Sequence, residues 1–274
     1  MNIVKIGGST AQQMFQYAFY LALCQHDPDA RLHAPRGKWL RERFRLPHFM
    51  LATPDDLGHF GKGSAMARAK SFFKRPGGSV VEENGPFDGT VFHQTDTYFE
   101  GLWLDPRYFA QVADAVRDTF TVDASALPRQ AQSMIAQLGH GQTVVLHIHE
   151  PEGKGALSTD YYNWSIASIL QSIEKAHFYV FSTSVAWAKT HLEFQDAPVD
   201  YVEYPADKET SLLPYLIHAK HHVIANTLLS WWAAWLNRND DKMVIAPKPW
   251  SRDAALAERA AYLIPMHWTA VPTT

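Results

Sequence analysis

Two short segments hold polar and titratable residue types that could do chemistry. The first is His147-Ile148-His149-Glu150-Pro151-Glu152-Gly153-Lys154. Its two histidines are two residues apart, so on a strand they share a face. A neutral imidazole offers one donor, and a protonated one adds a cation. His147, His149 and Lys154 are therefore candidate ligand contacts. Glu152 is the first candidate general base, and Glu150 the second. Either can also be an ordinary loop carboxylate, and His147 a hydrogen-bonded strand-end histidine. The second segment is Asn226-Thr227-Leu228-Leu229-Ser230. A helix starting there would point free N–H groups outward, a ready anion site, with Asn226, Thr227 and Ser230 adding polar reach. The His147/His149 spacing could also chelate a metal ion, with Glu152 adding an oxygen. The 14 histidines of the chain raise the chance of accidental pairs. His221 and His222, adjacent on an expected strand, would point to opposite faces.

A regular alternation of elements must position these segments. Strands are expected at 143–148, 178–181, 199–204, 222–225 and 243–246. Helices are expected at 160–175, 184–192, 211–220 and 227–237, the first capped by Thr159 or Asp160. Strands alternating with helices over short connections imply a parallel sheet covered on both faces. Ligands of such sheets bind at the carboxyl ends of the strands. Residues 147–152, 182–184 and 226–230 are thus expected to face one cleft. Trp231, Trp232 and Trp235 read as core of a buried helix, with stacking on a sugar or base as the alternative.

The first half is less regular. A strand at 2–6 ends at Gly7-Gly8, and a helix follows at 11–25. Prolines and glycines interrupt 31–78. A short basic helix at 64–74, flanked by Lys62 and Arg75, reads as a solvated face or as an acceptor or membrane-facing surface. Residues 99–108 are aromatic-rich, with a helix expected at 106–117. The division between domains is expected near 138–142, giving domains 1–140 and 141–274.

Composition bounds the class. The chain has 274 residues, 46% hydrophobic and 19% charged, enough to bury two cores. Its net charge of −3 does not suggest a nucleic-acid binder. Cys24 stands alone, so no disulfide can form within the chain, which fits a reducing cytosol. No apolar run reaches bilayer length, and the opening residues lack a signal-peptide pattern. A cytoplasmic location is the expectation.

Several blocks resemble one family. Gln13-Met14-Phe15-Gln16-Tyr17-Ala18-Phe19 is similar to the N-terminal signature of the bacterial α-1,2-fucosyltransferases, glycosyltransferase family eleven. Tyr98 to Trp103, leading to Arg107-Tyr108-Phe109, is similar to the family's GYWQSEKYF-like stretch. Ser158-Thr159-Asp160-Tyr161-Tyr162 matches its Ser-x-Asp-Tyr-Tyr segment. The strongest match runs from Ile224-Ala225-Asn226 through Ser230-Trp231-Trp232 to Ile245-Ala246-Pro247-Lys248 and Trp250. The chain is identified as a divergent member. The resemblance implies an α/β, GT-B-like fold with two Rossmann-like domains facing across a cleft, the first on the acceptor side and the second binding the donor. It implies inverting transfer of L-fucose, or a related deoxy sugar, from a GDP-sugar to a galactoside hydroxyl. No cofactor or essential metal is implied, the nucleotide sugar being a substrate. A glycan or glycolipid acceptor, surface-polysaccharide (O-antigen) assembly and peripheral contact with the inner membrane are implied too.

The departures fall on the phosphate loops. The family's His-x-Arg-Arg-Gly-Asp, whose first arginine would grip the diphosphate, becomes His147-Ile148-His149-Glu150-Pro151-Glu152, so the resemblance makes His149, where a forked, permanent cation would stand, and Lys154 the candidate phosphate contacts of this loop. The family's Gly-Gly-Leu-Gly-Asn-Gln becomes Gly8-Ser9-Thr10-Ala11-Gln12-Gln13, leaving Gly8 and Gln13 as donor-contact candidates. Leu228 replaces a hydroxyl at the start of the third motif. A different nucleotide-sugar donor or an inactive binding protein are the alternatives.

Overall fold

The computed structural model describes residues 1–34, 38–61, 79–82, 86–153 and 155–273. The chain divides into two compact units, Met1–Phe120 and Thr121–Thr274. The division falls earlier than the expected 138–142. The helix Arg129–Leu138 packs within the second unit, against the helix Leu213–Leu216. The Leu138 carbonyl also accepts the Thr143 hydroxyl.

The first unit carries β1 (Ile3–Lys5), β2 (Arg31–His33), β3 (Ser79–Glu82) and β4 (Thr97–Glu100). They form a parallel sheet in the order β2-β1-β4-β3. Only β1 was expected, from the run 2–6 that ends at Gly7-Gly8; β2, β3 and β4 are as short and show no such pattern. The helix Thr10–Leu23 is buried at every position except Gln12. Its start is a capping box: the Ser9 hydroxyl accepts from Gln12 N, and the Gln12 side chain accepts from Ser9 N at 2.8 Å. The aromatic stretch fills the core beside it, with Trp103 stacked on Phe19 at 3.9 Å between centroids. Cys24 ends the helix, and burial pushes its thiol up to about 11. The helix expected at 106–117 is two pieces, a 3₁₀ turn over Pro106–Val112 and an α-helix over Ala113–Phe120. The buried Phe109 leaves helical geometry there, at φ −129°. The expected basic helix at 64–74 lies outside the described residues.

The second unit carries β5 (Thr143–Ile148), β6 (His177–Ser182), β7 (Val199–Glu203), β8 (His221–Val223), β9 (Val244–Lys248) and β10 (Thr269–Pro272). All pairings are parallel, in the order β10-β9-β8-β5-β6-β7. Read from the β7 edge, this is the 3-2-1-4-5-6 order of dinucleotide-binding folds. All six residues of β5 are buried, as expected of a central strand covered on both faces. Tyr161, Tyr162, Ile166 and Ile169 of the helix Thr159–Ser172 pack into the same core. That helix is capped by Ser158, whose hydroxyl accepts from Tyr161 N at 3.2 Å, rather than by Thr159 or Asp160. The helix expected at 211–220 is only Leu213–Leu216, preceded by a 3₁₀ turn over Ala206–Leu212. Pro214 explains its late start, since proline fits an α-helix only in the first turn. Trp231, Trp232 and Trp235 are buried, and Trp231 Nε1 donates to Leu263 O at 2.7 Å, so they are core. Among the described residues, no helix is long and apolar enough to cross a membrane.

Tyr161 ties this core to the sheet. Its buried hydroxyl donates to Ile224 O at 2.7 Å, with Ile245 O at 3.3 Å. Tyr161→Phe removes the donor and leaves the buried Ile224 carbonyl short of a partner, while Ile245 O keeps the Ile224 N–H. Urea unfolding is expected to show a loss of about 1–3 kcal/mol.

Candidate functional site

The strand order of the second unit reverses at β5. From there β6 and β7 run to one side, and β8, β9 and β10 to the other. The connections that leave the carboxyl ends of β5 and β8 therefore part, and it is at such a point that open α/β sheets bind their ligands. Two bonds draw the loops together. Asn226 Nδ2 donates to Gly155 O at 3.0 Å, linking the loop after β8 to the loop after β5. Glu150 N donates to Thr183 Oγ1 at 3.2 Å, bringing in the end of β6. Segments 147–152, 182–184 and 226–230 thus gather at one end of the sheet.

The loop after β5 turns sharply. Glu150 has φ +46°, the left-handed region that costs a residue with a Cβ about 1–2 kcal/mol. Gly153 N then donates to Glu150 O at 3.2 Å, closing a turn with Pro151 at its second position. This lifts Glu150 and Glu152 into solvent, and both are exposed. Lys154 lies outside the described residues.

The histidines sit deeper. His147 is fully buried, and its Nε2 lies 2.7 Å from the Tyr204 hydroxyl. His149 is half-buried, with Nδ1 3.3 Å from the same hydroxyl and 3.9 Å from Glu209 Oε1. Burial lowers the His147 imidazole to about 3, so it is neutral at any physiological pH. Burial also raises the Tyr204 phenol, helped by the Glu209 charge. Burial raises the Glu209 carboxyl, while the Thr227 hydroxyl and His149 pull it back.

Thr227 caps the helix Leu228–Leu236, its Oγ1 accepting from Ser230 N at 3.2 Å. Ser230 is buried, and its Oγ accepts from Ala225 N at 3.1 Å, so its oxygen shapes the loop. Asn226 and Thr227 are half-buried. Gly8 and Gln13 belong to the first unit. Gly8 has φ +86°, and Gln13 Nε2 donates to its carbonyl at 3.0 Å. Gln13 Oε1 is buried without a hydrogen-bond partner among the described residues.

Tyr204 and Glu209 were missed by sequence reasoning. The available signal was their place, Tyr204 at the last position of an expected strand and Glu209 in the segment after it, at the carboxyl end of the sheet. They also revise the metal reading. Glu209, rather than Glu152, joins His147 and His149, with one ligand atom of each within 4.8 Å of the others. The Tyr204 hydroxyl fills the space between the two imidazoles. His147 Nδ1 has no hydrogen-bond partner among the described residues, whereas a metal-bound imidazole normally anchors its second nitrogen. In this arrangement the Tyr204 hydroxyl is hydrogen-bonded to both imidazoles.

Residues 87–271 match the model of Glycosyl transferase family 11. An alpha-1,2-colitosyltransferase of Escherichia coli is 31% identical over 283 residues, covering 90% of this chain and 91% of its own. The O-antigen biosynthesis glycosyltransferase WbnK of Escherichia coli is 35% identical over 104 residues, covering 37% of this chain and 34% of its own. A solved family 9 glycosyl transferase from Veillonella parvula aligns at TM-score 0.47 and 9% identity, covering 100% of this chain and 87% of that one. The chain belongs to glycosyl transferase family 11. Two α/β units with parallel sheets are consistent with a GT-B-like fold.

The buried imidazole gives the fold a pH dependence. The folded value of His147 lies near 3, below the roughly 6.5 of an unfolded histidine. Between the two, the unfolded chain binds more protons. Its stabilising share is therefore full above about pH 6.5 and is lost as pH falls toward 3. The melting temperature is expected to fall from pH 7 to pH 4.5, and less steeply in His147→Gln.

Proposed function

We propose that this family 11 glycosyltransferase transfers L-fucose, or a related deoxy sugar, from a GDP-sugar to a galactoside hydroxyl, with inversion, in surface-polysaccharide assembly. The observation carrying the reading is the meeting of the β5 and β8 loops where the strand order reverses, in a chain of this family. The second unit would bind the donor and the first the acceptor. The donor is a substrate, so no cofactor is called for. The acceptor would be a glycan or glycolipid met in the cytoplasm at the inner membrane.

Inverting transfer needs a base at the attacking hydroxyl and stabilisation of the departing diphosphate. The helix Leu228–Leu236 offers backbone N–H groups for the latter, with Asn226 and Thr227 at its mouth. His149, half-buried at the end of β5, is a proposed phosphate contact, while the buried His147 stays neutral. Glu152 is the proposed base, held in solvent by the turn, with Glu150 second. Lys154 is a further proposed phosphate contact.

A second reading of the donor has its own support. The relative matching 90% of the chain is named for colitose, a dideoxy sugar. A pocket that hydrogen-bonds a substrate hydroxyl rejects the sugar lacking it far better than the reverse. Turnover with GDP-fucose against GDP-colitose separates the two.

The first test is a thermal-shift titration with GDP, UDP, dTDP and CMP. At a hundredfold excess over Kd, GDP is expected to add about 2.7 kcal/mol of stability. A response to another nucleotide alone would change the donor, and no response from folded protein would sink the enzyme reading. Glu152→Gln is expected to lower kcat by about 10²–10⁴ while GDP still binds. Unchanged kcat would remove Glu152 as the base.

A further inference from the structure

One stretch of the first unit sets cations beside apolar side chains at the surface. Arg41, Arg43 and Arg45 are exposed, against one exposed acid among them, Glu42, in a chain whose net charge is −3. Further along, Met50 and Leu51 are 42% and 50% exposed. The Arg41 guanidinium lies 4.5 Å from the centre of the Phe49 ring and so joins the two groups. Asp56, on the helix Pro54–His59, is paired with Arg31. Among the described residues, no ion pair engages Arg41, Arg43 or Arg45.

The stretch is held from beneath. Leu40 and Phe44 are buried, and Phe44 packs edge-on against Phe120 with ring centroids 5.1 Å apart. The Tyr17 hydroxyl donates to His48 O at 2.8 Å. Residues 50–52 run alongside β2, the edge strand: Leu32 N donates to Met50 O at 2.7 Å, and Ala52 N to Leu32 O at 2.9 Å. Met50 and Leu51 are thus presented to solvent by a backbone fixed at both ends.

A bilayer with anionic head groups satisfies both kinds of side chain. Guanidinium groups bind phosphate oxygens through forked, charge-assisted hydrogen bonds. Methionine and leucine side chains beside them would enter the boundary between head groups and acyl chains. A nucleic-acid backbone would use the arginines but leave the apolar pair in water.

We infer that residues 41–51 form a surface by which the first unit docks on a bilayer carrying anionic lipid. This gives a place in the chain to the membrane contact of the reading above, and its purpose rests on that reading. The unit that docks is the one assigned there to the acceptor, so docking would hold it where a glycolipid lies.

The test is co-sedimentation of the full chain with vesicles of phosphatidylcholine containing about a third phosphatidylglycerol, and with vesicles of phosphatidylcholine alone. Binding to the anionic vesicles is expected, with far weaker binding to the neutral ones and a fall as salt rises from about 0.05 to 0.5 M. Each arginine near the surface is expected to contribute about fivefold, so changing Arg41, Arg43 and Arg45 together to glutamine weakens binding about a hundredfold. Changing all three to lysine keeps most of it, which separates charge from structure. Met50→Ser with Leu51→Ser is expected to weaken vesicle binding about tenfold. All these side chains are exposed, so the melting temperature is expected to hold. Equal binding to neutral vesicles, no binding to anionic ones, or undiminished binding of the triple glutamine variant overturns the inference. An oligonucleotide bound as tightly as the vesicles, with the Met50/Leu51 variant unchanged on both, overturns it in favour of nucleic acid. Vesicle binding is read without donor or acceptor, so its failure beside an intact thermal response to GDP leaves the glycosyltransferase reading standing. Loss of the GDP response beside intact vesicle binding defeats that reading and not the surface.

Discussion

The bond between His147 Nε2 and the Tyr204 hydroxyl joins the end of β5 to the end of β7, over the intervening end of β6. Both side chains are buried, so neither can exchange its partner for water. That requirement fixes how the chain leaves β7. The 3₁₀ turn Ala206–Leu212 begins two residues after Tyr204 and carries Glu209 back toward His149. Thr227, which caps the helix after β8, supports the same carboxylate. One buried contact therefore sets the spacing of three strand ends.

This layout separates two jobs that the sequence places side by side. His147 and His149 differ by one turn of the pleat, yet one is sealed and neutral and the other is half-open. Desolvation, not the residue type, is what keeps His147 neutral. Beyond them, the strained Glu150 turn throws the carboxylates outward, into water. Strain at one position is retained where the surrounding structure over-determines it. Here β5, the Thr183 hydroxyl and Gly153 all hold Glu150 in place.

Much of the second unit was legible, because strands of a doubly covered parallel sheet read as unbroken apolar runs between turn residues. The 143–148 run is β5 to the residue. The three loops at the carboxyl ends followed from topology alone. What could not be read was tertiary proximity. Tyr204 lies 57 positions from His147, and no local pattern pairs them. β2, β3 and β4 failed for a different reason, being too short to display a period. The division at Phe120 was hidden because nothing local marks Arg129–Leu138 as the packing partner of the helix Leu213–Leu216. The family resemblance reached further than the pattern did, since buried positions such as Tyr161, Trp231 and Trp232 are shared. It said least about the loops, where this chain departs from the family.

Cys24 has a use that its quiet burial conceals. It is the single thiol of the chain, and it sits in the first unit, at the end of the helix Thr10–Leu23. Desolvation suppresses its thiolate, the form that reacts with alkylating reagents. Modification therefore waits on opening of that unit. The rate at which a thiol probe is consumed would clock the opening of one half of the molecule while remaining blind to the other, a local stopwatch built into the native chain.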